Sequence, residues 1–312
     1  MPLRFFRGVR VTLCIAAAGF SVLLSPRLYG ADTSLRDSLG QLVRSFHGDA
    51  GIYVRHLRTG ETVAINADSL FPTASMIKVT ILCTLFDRMQ RGELAYDSVL
   101  VYRDSQRVAG VDLLGSFKDS AKVPVSELIM LMITMSDNTA SRWLQELAGG
   151  GTAINAWLER TGLHELRINS RTPGREQERD RWGWGVTTPR EMAELLVKIR
   201  QVKVFDSAAC IELYRVLGRT WWDAEALSQI PPWVRVASKQ GSLDSSKSEV
   251  FLVNAPSGDY VCCVATRNQA DDRWVPDNEG YLFIRAVSRL VWRHFEPASH
   301  WNSTLPAGRW WK

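Results

Sequence analysis

The chain has 312 residues, 46% of them hydrophobic and 23% charged, with a formal net charge of +5. That composition belongs to a globular protein that buries a substantial core, and it excludes a disordered or collagen-like chain. The basic residues are scattered among acids, which argues against a nucleic-acid-binding surface.

The N-terminus reads "MPLRFFRGVR", with Arg4, Arg7 and Arg10 and no acid, followed by "VTLCIAAAGFSVLL" and "SPRLYGAD". A basic, then apolar, then small-residue order predicts a signal peptide over residues 1–30, cleaved near Gly30 or Ala31, and a secreted or periplasmic mature chain. An uncleaved anchor is the alternative, although the apolar run is short for a membrane span. Cys14 lies in that run without a lipobox. After cleavage no membrane association is expected. Export would place Cys83, Cys210, Cys262 and Cys263 in oxidising surroundings. Their spacing reads as buried apolar residues with room for one disulfide, and adjacent Cys262 and Cys263 would face opposite sides of a strand.

From Ser34, "SLRDSLGQLVRSF" reads as a helix, and "GIYVRHLRTGETVAINA" as a β-hairpin around "RTGE". A long apolar helix starts near Ser75. Residues 90–235 are mainly helical in pattern, with "VSELIMLMITM", "NTASRWLQEL", "GTAINAWLERTG" and "TPREMAELLVKIRQ" spaced three to four. Thr188 reads as an N-cap with Pro189 at the first helical position. After "PPWV" come three strands, "VRVASKQGS", "SEVFLVNAP" and "YVCCVATRN", then the amphipathic helix "YLFIRAVSRLVWRHF". The expected fold is α+β: an antiparallel sheet built from both chain ends, with an all-helical region between. Residues 31–298 would form one domain, its α/β part 31–75 and 233–298 and its helical part 76–232. Residues 299–312 are an aromatic extension with no assigned role.

Three short elements stand out. Ser75 and Lys78 are three apart in an apolar helix and so share a face. A lysine desolvated there loses basicity and becomes a candidate general base for the serine hydroxyl. A helix cap with a snorkelling lysine is the alternative. "MSDNTA", with Ser136, Asp137 and Asn138, sits between apolar helices, where an interhelix turn is also expected. "ASKQGS" places Lys239, Gln240 and Gly241 on a strand, where glycine permits close approach of another backbone or a ligand.

Taken in order, Ser-x-x-Lys, Ser-Asp-Asn and Lys-x-Gly resemble the penicillin-recognising serine hydrolases, the class A β-lactamase branch in particular. The resemblance spans nearly the whole mature chain. It implies Ser75 as nucleophile, Lys78 as its activator, Ser136 as proton shuttle to the leaving amine, and Lys239 polarising that shuttle. Asn138 would bind the substrate's side-chain amide. Gln240, Gly241 and Ser242 would line the substrate's path, with the backbone N–H groups of Ser75 and Ser242 as oxyanion hole. Gln240 stands where the family carries threonine or serine, which removes a hydroxyl contact to a substrate carboxylate.

The family's deacylating glutamate is not evident. Its usual spacing lands on Thr172, which cannot act as a base. Glu165 begins "ELRIN", a glutamate pattern placed too early in the chain, and Glu176 and Glu178 are other carboxylates of the same stretch. The tryptophans of "RWGWG" are expected to pack this loop down. The resemblance therefore implies an exported enzyme acylated at Ser75 that hydrolyses β-lactams or related amides and esters. A peptidoglycan-type peptidase or esterase, or a β-lactam-binding domain without turnover, are the alternatives. The expected partner is a small molecule: a β-lactam, or a peptidoglycan-like amide or ester. The chain would be a monomer with no cofactor and no metal, since His47, His56, His164, His294 and His300 have no ligand-like spacing.

Overall fold

The computed structural model describes residues 34–307. The predicted signal peptide and the last five residues of the extension lie outside the described residues. Helix α1 (Leu35–Ser45) starts on the Ser34 hydroxyl, which accepts from the Asp37 N–H, and buries Leu35, Leu39 and Leu42. The expected hairpin is present as β1 (Asp49–His56) and β2 (Thr62–Ile65). A short β3 (Phe71–Pro72) leads into a 3-10 turn, Ala74–Ile77, and then α2 (Lys78–Gln90).

The middle of the chain holds β4 (Val99–Val101), β5 (Lys122–Pro124), α3 (Val125–Met130) and a π-helical turn, Leu131–Met135. It continues through α4 (Asn138–Leu147), α5 (Gly150–Arg160), β6 (Arg167–Ile168), α6 (Glu176–Trp182) and β7 (Gly185–Thr187). Helices α7 (Pro189–Arg200) and α8 (Ser207–Leu217) follow. Thr188 caps α7 as predicted, its hydroxyl accepting from the Glu191 N–H, with Pro189 at the first position. Strands β8 (Val236–Leu243), β9 (Ser246–Val253) and β10 (Tyr260–Arg267) precede α9 (Glu279–Phe295).

The main sheet has the order β2-β1-β10-β9-β8, and its pairs are antiparallel. Side chains alternate across it with period two, so one face packs on α1 and α9 and the other on the helical region. Ile52, Phe251 and Cys262 join Leu39, Phe283 and Val287 on the first side, while Tyr53, Val250 and Cys263 join Met76, Leu82 and Leu195 on the second. Cys262 and Cys263 thus point to opposite layers, as their adjacency requires. All four described cysteines are buried free thiols, so the disulfide allowed by the sequence does not form. The extension is docked where it is described: the Gln229 amide donates to Ser303 Oγ at 3.0 Å and to the Leu305 carbonyl at 3.1 Å.

The sequence places a helix start at Ser75, whereas the α-helix begins at Lys78. Ala74 adopts a φ of 43°, a left-handed value that costs an alanine energy and turns the chain just before the serine. No side chain caps either turn, so Ser75 is not a helix cap. In a 3-10 turn residues three apart eclipse one another, which stacks Ser75 and Lys78 on one edge.

Candidate active site

Strand β8 is the edge of the main sheet, and it runs against the 3-10 turn that carries Ser75. Gly241 makes that approach possible. A Cβ there would lie 2.5 Å from the Thr73 carbonyl oxygen and 2.8 Å from the Ser75 nitrogen. Lys239, Gly241 and Ser242 are thereby drawn to Ser75, although they are far apart in sequence.

Lys78 is buried, and its ammonium donates to Ser136 O at 2.6 Å, Ser136 Oγ at 3.2 Å and Asn138 Oδ1 at 2.9 Å. All its protons are therefore directed at the Ser-Asp-Asn segment. None of these bonds goes to the Ser75 hydroxyl. Burial brings its pKa down to about 7, with the Asp137 charge opposing the shift. A lone pair is thus within reach near neutral pH, which is what a general base needs.

Ser136 sits at φ 62°, a left-handed turn between the π-helical segment and α4, and its hydroxyl is also 3.1 Å from Lys239 Nζ. That lysine is fully buried, and its pKa falls well below the usual lysine value. Burial is the main cause, Lys78 adds to it, and Glu249 opposes. Its remaining donors go to the Gln240 carbonyl at 2.9 Å and to Gln240 Oε1 at 2.7 Å. Gln240 therefore replaces a small hydroxyl with an amide oxygen folded onto the lysine, a contact the sequence did not reveal.

Asp137 is the buried carboxylate that braces this corner. One oxygen caps α4 through the Ala140 N–H at 2.7 Å, and the other accepts from the N–H groups of Leu113 and Leu114 at 2.6 and 2.9 Å. Asn138 donates its side-chain amide to the Ala109 carbonyl at 3.0 Å while accepting from Lys78. Contacts thus link Lys78, Ser136, Asn138, Lys239 and Gln240, and Gly241 brings the same strand, with Ser242 next along it, against Ser75. Trp184, expected from the sequence only to pack its loop, has its ring 5.6 Å from Lys78 Nζ. It belongs to the predicted packing tryptophans, of which Trp182 is buried.

The carboxylates of the loop behave differently. Thr172 is buried and its hydroxyl donates to the Ile168 and Ser170 carbonyls, each at 3.2 Å, on the side facing Gly151 of α5. Glu165 and Glu176 are exposed. The Glu165 N–H is bound by Glu191, and Glu176 accepts from the Gly174 N–H at 3.2 Å. Among the described residues no cluster of histidine, cysteine or carboxylate side chains could hold a metal ion.

A serine stacked on a buried lysine, with a second serine bonded to a lysine of the sheet edge, defines the penicillin-recognising class of protein on a β-lactamase-type α+β fold. A family model described as the β-lactamase enzyme family matches residues 34–295, and the chain belongs to that family. Among relatives, a β-lactamase of Bacteroides uniformis is 24% identical over 75% of this chain and 82% of its own length. A carbapenem-hydrolysing β-lactamase KPC of Klebsiella oxytoca is 23% identical over 92% of this chain and 96% of its own. Among solved structures, a mutant of PBP-A in acyl-enzyme complex with penicillin G superposes with a TM-score of 0.75. That match is 28% identical and covers 84% of this chain and 96% of the other.

Proposed function

We propose that the protein is an exported serine hydrolase that is acylated at Ser75 by β-lactams or related amides and esters, and that releases the acyl group slowly. The observation that carries this reading is the shared hydroxyl of Ser136, held by Lys78 at 3.2 Å and Lys239 at 3.1 Å beside the Ser75 turn. Ser75 Oγ attacks the carbonyl carbon, and its proton passes to the neutral Lys78 amine. The developing oxyanion is met by the backbone N–H groups of Ser75 and Ser242, a role supported by the close approach of neighbouring Gly241 to the Ser75 nitrogen. The C–N bond then breaks, and Ser136 delivers a proton to the departing nitrogen while Lys78 and Lys239 stabilise its deprotonated form. Asn138 orients the acyl amide. Water later cleaves the ester, releasing the acid and restoring the serine.

Slow release follows from the surroundings of Lys78. The loop offers Glu165 and Glu176, both exposed, the half-buried Glu178, and at the family's spacing a threonine turned onto backbone carbonyls, which carries no carboxylate to activate water. A peptidoglycan-type peptidase with little β-lactamase activity is the second reading, favoured by this same absence and by the likeness to PBP-A. The N-terminal basic and apolar segments support export.

Single-turnover mass spectrometry tests the proposal. Mixed with a penicillin, the full chain gains the mass of one ring-opened penicillin on Ser75 within the first minutes and loses it slowly, and Ser75→Ala gains none. Labelling that survives Ser75→Ala, or no labelling of the native chain, overturns it.

A further inference from the structure

Next to the Lys78 corner, between α4 and the loop that carries α6, lies a concavity of about 190 Å³ whose wall includes Trp184. From α4 it is lined by Arg142 and Gln145, which follow Asn138 at four and seven residues and so share its helix face. One helical turn separates Asn138 from Arg142, a rise of about 6 Å. Opposite stand Arg171 and Arg179, with Trp184 as the wall shared with Lys78. The floor is rigid: the Gln145 amide donates to the Ser170 carbonyl at 2.6 Å and accepts from the Ser170 hydroxyl at 3.1 Å.

The charge of this pocket is unbalanced. No carboxylate lines it. Arg142 and Arg171 share a single acid, Glu146, at 3.5 and 3.1 Å, and that acid is half exposed. Arg179 forms no ion pair among the described residues. Arg171 sits at a left-handed φ of 50°. Burial and the neighbouring Arg142 and Arg179 guanidiniums lower its pKa, with Glu146 opposing, so the three cations sense one another. Like charges converging on a concave, partly apolar site favour an anion between them.

We infer that this pocket is a subsite for a carboxylate on the acyl arm of the substrate, so that the enzyme prefers acyl donors that are anionic beyond Asn138. The inference rests on the acyl-transfer reading above: an acyl amide oriented by Asn138 has its substituent one helical turn from Arg142. A planar carboxylate matches the forked guanidinium donors, and Trp184 would cover the apolar part of the arm.

The test uses the full chain with Ser75→Ala, so that binding is read without acylation. Titration calorimetry compares benzylpenicillin with α-carboxybenzylpenicillin, which share a ring system and differ by one side-chain carboxylate. The carboxylated compound binds about tenfold tighter in dilute buffer, the scale of one charge-assisted hydrogen bond, and the gap narrows in high salt. In an Arg142→Gln/Arg179→Gln background the preference disappears, while Arg179→Lys and the distant Arg36→Gln retain it. Equal affinities, a preference that survives the double substitution, or no measurable binding of either compound overturns the subsite. The serine reading is scored separately by the adduct on the native chain. An adduct without side-chain preference removes the pocket alone, and a preference without an adduct removes the serine reading alone.

Discussion

Lys78 Nζ donates to both the carbonyl oxygen and the hydroxyl of Ser136, at 2.6 and 3.2 Å, although 58 residues separate the two in sequence. The lysine is buried with its pKa lowered to about 7, and no hydrogen bond holds it to Ser75. A protonated Lys78 is thus occupied by its acceptors, and only its neutral form has a lone pair for the Ser75 proton.

Acylation is accordingly expected to switch on with pH. The rate constant for adduct formation rises from pH 5.5 through about 7 and then levels, since deprotonation of Lys78 is the enabling event. Lys78→Arg keeps a cation that does not deprotonate, and it lowers the acylation rate by about 100-fold or more. A flat profile between pH 5.5 and 8.5 would sink the assignment of Lys78 as base.

Gln240 turns its side-chain oxygen onto Lys239 at 2.7 Å and so competes with any substrate carboxylate for that ammonium. Gln240→Thr removes the competing amide and supplies a hydroxyl. The expected outcome is acylation by a penicillin that is faster by about threefold to tenfold at subsaturating concentration, the net worth of one ordinary hydrogen bond. Unchanged or slower acylation in stopped-flow measurements would show that the glutamine helps bind substrate.

Glu165 and Glu176 are exposed, and hydrogen bonds tie them within the loop and to the start of α7. Glu165→Gln and Glu176→Gln should leave the decay of the acyl-enzyme unchanged when it is followed by mass spectrometry. A tenfold slowing in either variant would identify a water activator that the resting loop keeps outside the cleft.

Glu249 lies fully buried on β9, where its carboxylate accepts from the Ala226 N–H at 2.9 Å. Burial, reinforced by the Glu225 charge, raises its pKa from the ordinary 4.5 to about 8. The folded state therefore holds a proton that the unfolded state releases. Stability from this group is present at pH 4.5 and is lost progressively as pH rises toward 8. Glu249→Gln keeps an acceptor for Ala226 but has no proton to lose. The difference in urea unfolding free energy between variant and native chain should move in the variant's favour from pH 5 to pH 8. A constant difference would mean that Glu249 is ionised in the fold.

Much of the fold was legible because each layer leaves a periodic trace. Period-two apolar runs at both chain ends predicted the sheet, and three-to-four spacing predicted the helices between. The serine–lysine motif, the Ser-Asp-Asn turn and the lysine–glycine strand were legible as residue types at family-like spacing. Other features were not. The 3-10 turn at Ala74–Ile77 depends on Gly241 reaching Ser75 from a distant strand, and helix periodicity cannot register that contact. The disulfide left open by four cysteines was settled by packing, which sends Cys262 and Cys263 to opposite sides of the sheet.

By itself the sequence determined that a serine, two lysines and an asparagine stand at family-like spacing, and that Thr172 occupies the position where that spacing leads one to expect a glutamate. Only the tertiary structure decided where their protons lie. Burial depresses Lys78, the sheet edge brings Lys239 to Ser136, and α4 aligns Arg142 with Asn138 along one face. The physical reason is that basicity, hydrogen-bond partnership and net pocket charge depend on neighbours far apart in the chain. Residue identity names the groups, and only their convergence sets their charge state.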